Sequence, residues 1–165
     1  RRWLDRQIAD KSSTVVAPAD RAALAVLATD GWHRDATKAA KVKPALLAYA
    51  AYYFLRAKTD DARPVDAVAR FHLGNGASLD RLNWLGDTSV KGMREAYGLM
   101  VNYLYDLDEI ETNHEAYANE GVIAASKAVR GQLKPQTASA ADASNGAAHK
   151  QPVPAARLLP PAKTR

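Results

Sequence analysis

The chain has 165 residues, of which 47% are hydrophobic and 25% are charged, a balance typical of a globular domain and not of a wholly disordered chain. It contains no cysteine, which excludes disulfides, thiolate metal sites and cysteine nucleophiles. The net charge of +5 would suggest a nucleic-acid partner if it were spread over the folded part of the chain. Residues 131–165 carry +4 of this charge, however, and residues 1–130 are nearly neutral.

The first half of the sequence predicts a series of helices. Pro18, Pro44 and Pro64 are each expected to begin one, because proline is well accepted in the first turn of a helix. Two helices are expected to end at glycine-containing turns, Asp30-Gly31 and Gly74-Asn75-Gly76. The predicted helices cover residues 3–11, 19–28, 44–58 and 64–73.

The second half predicts strands that alternate with helices. Ser89 is a plausible N-cap and Gly98 a plausible end for the helix between the two strands. Tyr103 and Tyr105 are predicted to share one face of the second strand, since side chains alternate with period two. The pattern predicts α+β or α/β material, and because two strands make a poor independent sheet, it also predicts a piece of a larger sheet. The predicted elements are strand 79–85, helix 89–97, strand 99–107 and helix 109–132.

The last segment, residues 131–165, has a different composition from the rest of the chain. It holds five of the eight prolines, long alanine and serine runs and no aromatic residue. Such a segment cannot bury enough apolar area to offset the entropy of ordering, about 1–2 kcal/mol per residue for the backbone alone. We therefore predict a disordered tail after residue 130.

The location and partners of the protein follow from what the chain lacks. No apolar stretch reaches the roughly 18 residues needed to span a bilayer, and the first residues lack the apolar core of a signal peptide. These features predict a cytoplasmic protein without a membrane partner, and the neutral charge of residues 1–130 argues against nucleic acid. Because the chain opens at Arg1 within a predicted helix, we expect it to be a fragment.

The four histidines differ in what they can do. His33 is predicted to be a surface residue, and His149 lies in the predicted tail. His114 pairs only with Glu111 at helical spacing, which gives too few ligands for a metal site and predicts a solvated helix face. His72 stands at the end of an apolar helix, where a partly buried imidazole can act as an acid or a base. The residues alone favour a structural, hydrogen-bonded histidine and leave the function open.

Three segments taken together carry a specific resemblance to a known family. They resemble the C-terminal part of the malonyl-CoA decarboxylases in order and spacing, and the likeness covers about residues 1–130. The segments are Phe71-His72-Leu73-Gly74-Asn75-Gly76-Ala77, Arg81-Leu82-Asn83-Trp84-Leu85-Gly86-Asp87 and Gly98-Leu99-Met100-Val101-Asn102-Tyr103-Leu104-Tyr105.

The resemblance implies a fold, a reaction and a set of site residues. It implies the C-terminal portion of a GNAT-like acyl-CoA-binding domain that converts malonyl-CoA to acetyl-CoA and CO2 with no metal or cofactor, in a homo-oligomer. His72 corresponds to the catalytic histidine and Tyr105 to an active-site tyrosine, while Asn75 is expected to help bind substrate. The family's catalytic serine is expected just before Arg1. Much of the family's coenzyme A binding surface is expected from earlier strands of the fold, so this chain alone is predicted to be inactive.

Two alternatives to a decarboxylase stay open at this point. A GNAT-type acyltransferase could use the same fold to move an acyl group, because fold does not determine function. A non-enzymatic helical binding module could use the basic tail to bind nucleic acid or an acidic partner, and its binding would then weaken with salt.

Asn83 and Asp87 are expected to support loop geometry near the site.

Overall fold

The computed structural model of the chain describes residues 1–134. The predicted disordered tail therefore lies almost entirely outside the described residues. The described part contains two short 3-10 turns, Ala25–Ala28 and Trp32–Arg34, besides its helices and strands. In chain order the helices and strands are α1 (Arg2–Ala9), α2 (Pro18–Leu24), α3 (Ala36–Leu55), α4 (Ala67–Gly74), β1 (Ser78–Asn83), α5 (Val90–Ala96), β2 (Met100–Leu104), α6 (Ile110–Glu120) and α7 (Lys127–Arg130).

The first three helices pack around one hydrophobic cluster. Pro18 lies at the start of α2 as predicted, but the α-helix ends at Leu24 and continues only as a 3-10 turn. Gly31 adopts a left-handed conformation with φ of 66° and turns the chain, so that Trp32 is buried against the cluster. The fully buried members include Leu24, Val42, Leu46 and Tyr49.

The longest helix, α3, begins eight residues before the predicted start at Pro44. Asp35 caps it, because its carboxylate accepts hydrogen bonds from the amides of Thr37 and Lys38 at 3.0 and 3.1 Å. Pro44 therefore lies inside the helix, where it removes a backbone hydrogen bond. Burial of Val42 on one side of the proline, together with alanine and leucine side chains on the other, outweighs that loss.

The prediction that Pro64 begins the fourth helix is also wrong. Pro64 instead forms an isolated antiparallel bridge with Lys58, and α4 begins at Ala67 after Asp66. Asp66 accepts a hydrogen bond from the Ala69 amide and so supplies the N-cap that a proline cannot supply.

The two predicted strands form an antiparallel pair with α5 between them in the sequence. Both strands are shorter than predicted. β1 ends at Asn83, because Leu85 takes a φ of 49° that belongs to no strand. The pairing slips by one residue between Leu79 and Arg81, which marks a bulge in β1. Ser89 caps α5 as predicted, with its hydroxyl accepting from the Gly92 amide at 3.1 Å.

The prediction of a single helix over residues 109–132 is wrong. Gly121 has a φ of 66° and ends α6, and the chain then runs parallel to β1 before it forms α7. Leu79 binds this segment on both sides, since its amide donates to Ala124 and its carbonyl accepts from Ser126, each at 2.9 Å. A second cluster forms where α3, α4, β1 and α7 meet, and it includes Leu55, Leu73, Leu79, Ile123 and Val129.

The α+β class predicted from the sequence is confirmed for the described residues. About half of residues 1–134 lie in the α-helices, and the described residues contain a single two-stranded sheet. None of the described helices has the length and apolar character required to cross a membrane. This arrangement brings the carboxyl end of α4 against β2, and the predicted site residues lie at that junction.

Candidate functional site

His72 lies on the last turn of α4, at the point where the helix meets the sheet. Ala69 and Leu73 are buried on one side of this helix, and His72 is half-buried on another. Its imidazole stacks on the ring of Tyr103 in β2, with ring centroids 4.2 Å apart and planes inclined by 17°. The helix and the strand together hold the imidazole in one orientation.

Tyr105, the residue directly after β2, binds the same histidine. Its hydroxyl lies 2.9 Å from Nδ1 of His72, which is hydrogen-bond distance, and 42% of the tyrosine is exposed. Tyr103 and Tyr105 thus contact one ring from the same face of the strand, as the period-two pattern predicted. Because Nδ1 is occupied and the described residues offer Nε2 no hydrogen bond, Nε2 is the nitrogen available to a reactant.

Tyr103 contributes a second polar group beside His72. Its hydroxyl is buried and has no hydrogen-bond partner among the described residues. Burial raises the pKa of Tyr103 well above its ordinary value, and the negative charge of Asp66 adds to the shift. The hydroxyl therefore stays protonated and can donate a hydrogen bond to a group that enters the site.

A cleft of about 1140 Å³ opens beside these residues. His72 and Tyr103 line it together with Trp3, Tyr53 and Asp66, whereas Tyr105 lies outside the lining. The hydroxyl of Tyr53 donates to Asp66 at 3.2 Å, and burial, aided by that carboxylate, raises the pKa of Tyr53 to about 12. The volume is large enough for a small-molecule ligand. Three arginines and three carboxylates also line the cleft, so that its charged side chains balance; they are Arg1, Arg2, Arg6, Asp5, Asp66 and Glu95.

Asn75 follows His72 on the turn and has an exposed side chain. Its backbone amide donates to the carbonyls of Phe71 and His72, so the residue closes the end of α4. Asn75 does not line the cleft. The structure thus brings His72 and Tyr105 into contact, and a role for Asn75 in substrate binding stays a prediction.

The polar residues expected to support nearby loops make local hydrogen bonds. Asn83 donates from its side-chain amide to the Asn102 side chain across the sheet at 2.7 Å. Asp87 accepts from the Ser89 amide at 2.9 Å, and bonds from Ser89 lower the pKa of that carboxyl. The Asp87 bond fixes the loop before α5, whereas the Asn83 bond joins β1 to β2.

The other histidines form no metal site in the described part of the chain. Within residues 1–134, no group of three histidine, aspartate or glutamate side chains is arranged to hold a metal ion. His114 is exposed as predicted, but its Nδ1 lies 2.6 Å from the carbonyl oxygen of Gly74, just past His72. Sequence reasoning missed this contact, and it also missed the stacking of Tyr103, because neither pairing leaves a signal in local spacing.

Comparison with known proteins shows which family the chain resembles over most of its length. The model of the malonyl-CoA decarboxylase C-terminal domain matches residues 1–143. Malonyl-CoA decarboxylase of Anser anser anser is 48% identical over 65 residues, which are 39% of this chain and 13% of the relative. The mitochondrial enzyme of Rattus norvegicus is 35% identical over 104 residues, which are 63% of this chain and 21% of the relative.

Solved structures of the same family share the fold. The crystal structure of malonyl-CoA decarboxylase from Rhodopseudomonas palustris has a TM-score of 0.78 and 53% identity, covering 81% of this chain and 30% of that one. The enzyme from Agrobacterium vitis has a TM-score of 0.76 and 54% identity, covering 81% and 33%. The chain spans a third or less of the length of these relatives. On the strength of the family model and these structures, the chain belongs to the malonyl-CoA decarboxylase family, within its C-terminal domain.

Proposed function

We propose that the protein to which this chain belongs converts malonyl-CoA to acetyl-CoA and CO2, with His72 as the proton donor. The observation that carries the proposal is the ring of His72, which is stacked on Tyr103, hydrogen-bonded at Nδ1 by Tyr105 and open at Nε2. A histidine held this way can present one N–H to a reacting atom in a fixed direction. The family membership of the chain supplies the substrate class.

The reaction needs a proton donor and stabilisation of negative charge. When the bond between the carboxylate carbon and the α-carbon of the malonyl group breaks, CO2 leaves and the electron pair passes into an enolate of acetyl-CoA. An N–H at Nε2 of His72 then donates its proton to the α-carbon, and solvent restores the proton to the imidazole. Positioned acid catalysis of this kind contributes about 10²- to 10⁴-fold.

The remaining site residues have supporting roles in this proposal. Tyr105 orients the imidazole through Nδ1, and Asn75 binds substrate from the turn after His72. The family's serine, expected in a segment that this chain does not contain, holds the substrate carboxylate. Malonyl-CoA is an anion, and Arg1, Arg2 and Arg6 are the cleft residues that can pair with its charge. Asp5, Asp66 and Glu95 line the same cleft and balance the charge of the arginines when no substrate is bound.

The broader predictions from the resemblance belong to the same proposal. They are a GNAT-like acyl-CoA-binding architecture, a homo-oligomer, a cytoplasmic location and a reaction that needs no metal or cofactor. The α+β fold of the described residues supports the first of these. The other three rest on the resemblance and the sequence alone.

Product analysis of the complete protein tests the proposed reaction. Malonyl-CoA with a labelled free carboxyl group is incubated with the protein in the absence of any acyl acceptor. We expect labelled CO2 and acetyl-CoA in equal amounts. The acyltransferase alternative predicts that neither product is released in this assay. It also predicts that an acylated acceptor forms when an acyl acceptor is added, and these two results together would establish it.

A further inference from the structure

The turn that follows His72 is held by two side chains from a helix far away in the sequence. His114 and Asn113 are neighbours on α6, and each contacts the backbone of the turn Gly74-Asn75-Gly76. Nδ1 of His114 lies 2.6 Å from the Gly74 carbonyl oxygen, and Nδ2 of Asn113 lies 3.3 Å from the Gly76 carbonyl oxygen. The two contacts hold the first and the last residue of the turn that follows the His72 end of α4.

The direction of the His114 hydrogen bond follows from its partner. A carbonyl oxygen can only accept, so Nδ1 of His114 carries the proton in this contact. Gly74 is the last residue of α4, and the last carbonyls of a helix have no partner within the helix. His114 supplies that partner from outside, which fixes where the helix ends.

The backbone of the same turn is packed tightly against α6. Gly76 adopts a φ of 80°, and a Cβ added there would overlap the carbonyl oxygen of Ile110, the first residue of α6. The amide of Ala77 also returns to the carbonyl of His72 at 3.1 Å. A displacement of the turn relative to α6 would therefore move the backbone of His72 directly.

We propose that His114 is a positioning residue for His72. By donating to the Gly74 carbonyl it holds the end of α4 against α6, and this sets the place at which the imidazole meets Tyr103 and Tyr105. His114 acts through the backbone and touches no reacting atom. Its effect on turnover rests on the proposed decarboxylation, whereas its effect on the His72 ring does not.

The test compares two substitutions of His114 that differ in one hydrogen bond. In His114→Asn the amide nitrogen occupies the place of Nδ1 and keeps the donor, whereas His114→Leu removes it. Glu115→Ala is the matched control, since Glu115 is the next residue on the same helix and is exposed. All variants are made in the complete protein.

The primary readout is the ring-proton NMR signal of His72, which requires no activity. Because the imidazole stacks on Tyr103 at 4.2 Å, the aromatic ring shields those protons and moves their signal upfield. The sequence has four histidines, and the signal lost in His72→Asn identifies the one of interest. Turnover of malonyl-CoA is measured on the same samples.

We expect the His114→Leu signal to move toward that of an unstacked histidine, with kcat about 10- to 100-fold lower and KM within about twofold of the parent. His114→Asn and Glu115→Ala should retain both the signal and the rate. If His114→Leu does not fold, His114→Gln replaces it. The glutamine amide nitrogen takes the place of Nε2 and not of Nδ1, so the hydrogen bond to the Gly74 carbonyl is lost and the His72 signal should also shift.

Two results would overturn the inference. The first is a folded His114→Leu protein whose His72 signal is unchanged. The second is a shifted signal with an unchanged kcat, which would leave His114 a structural residue only. If the parent protein releases no CO2, the proposed function fails, and the His72 signal alone then decides whether His114 positions the ring.

Discussion

At the scale of single residues, the site depends on one imidazole that two tyrosines constrain in different ways. Tyr103 offers its ring face to His72, and Tyr105 offers its hydroxyl to Nδ1. The shared face of the two tyrosines follows from period two in the sequence. Their meeting with His72 does not follow from it, because the packing of α4 on β2 joins residues about 30 positions apart.

His114 shows the limit of local patterns more clearly. Its spacing from Glu111 indicates a solvated helix face, and the residue is indeed exposed. An exposed side chain can still make a directed hydrogen bond, and here it reaches the Gly74 carbonyl 40 residues away. Sequence spacing within α6 contains no information about that partner.

Removal of one hydroxyl tests the role of Tyr105. Tyr105→Phe keeps the ring but removes the hydrogen bond to Nδ1 of His72. A net hydrogen bond is worth about 1 kcal/mol, so we expect kcat for malonyl-CoA to fall about fivefold. Tyr52→Phe is the control, since Tyr52 stacks on Trp3 and lies outside the cleft lining. Equal rates for the two variants would contradict the role of Tyr105.

At the scale of elements, glycines and prolines predicted some boundaries correctly and misplaced others. Gly31 and Gly98 end or turn elements where expected, because their positive φ values suit turns that other residues adopt with strain. Pro44 misled the prediction of α3, since buried residues before it keep the helix intact. Gly121 lies within the predicted helix 109–132, but it ends α6 and lets residues 122–126 pass along β1.

The close approach of α4 and α6 can be tested at one glycine. Gly76→Ala should lower the free energy of unfolding by more than about 2 kcal/mol, because φ is 80° and the new methyl group would overlap the Ile110 carbonyl. Gly121→Ala is the control, with a φ of 66° but open space around an added Cβ, and should cost only about 1 kcal/mol. Urea unfolding followed by circular dichroism measures both. Similar losses would mean that the helices are not in close contact at Gly76.

At the scale of the whole molecule, the two hydrophobic clusters and the cleft beside them determine what the chain can do. The α+β class and the element order were predictable from hydrophobic periodicity and turn residues. The parallel segment beside β1 and the joint burial of α3 by both clusters were not, because they depend on contacts between distant segments.

Three tyrosines bind carboxylates across the fold and predict how stability depends on pH. Tyr49 donates to Asp20, Tyr53 to Asp66 and Tyr97 to Asp5, which link α3 to α2, α3 to the start of α4, and α5 to α1. Burial, aided by these carboxylates, raises the pKa of each tyrosine to about 12 from an ordinary 10.0.

The sign of the effect follows from proton binding. Between pH 10 and 12 the unfolded chain loses tyrosine protons that the folded chain retains, so the contribution of these tyrosines to the free energy of unfolding should be constant below pH 10 and fall as pH approaches 12. Urea unfolding at several alkaline pH values measures this. Tyr53→Phe should flatten the curve, and an unchanged slope in that variant would contradict the shifted pKa of Tyr53.

The most direct test of the central claim is CO2 release from malonyl-CoA by His72→Asn in the complete protein. Asparagine keeps the size and polarity of the side chain but cannot transfer a proton at neutral pH. We predict that release falls at least about 100-fold while the circular dichroism spectrum and the thermal midpoint match those of the parent. Release near the parent rate from a folded variant would show that His72 is not the proton donor.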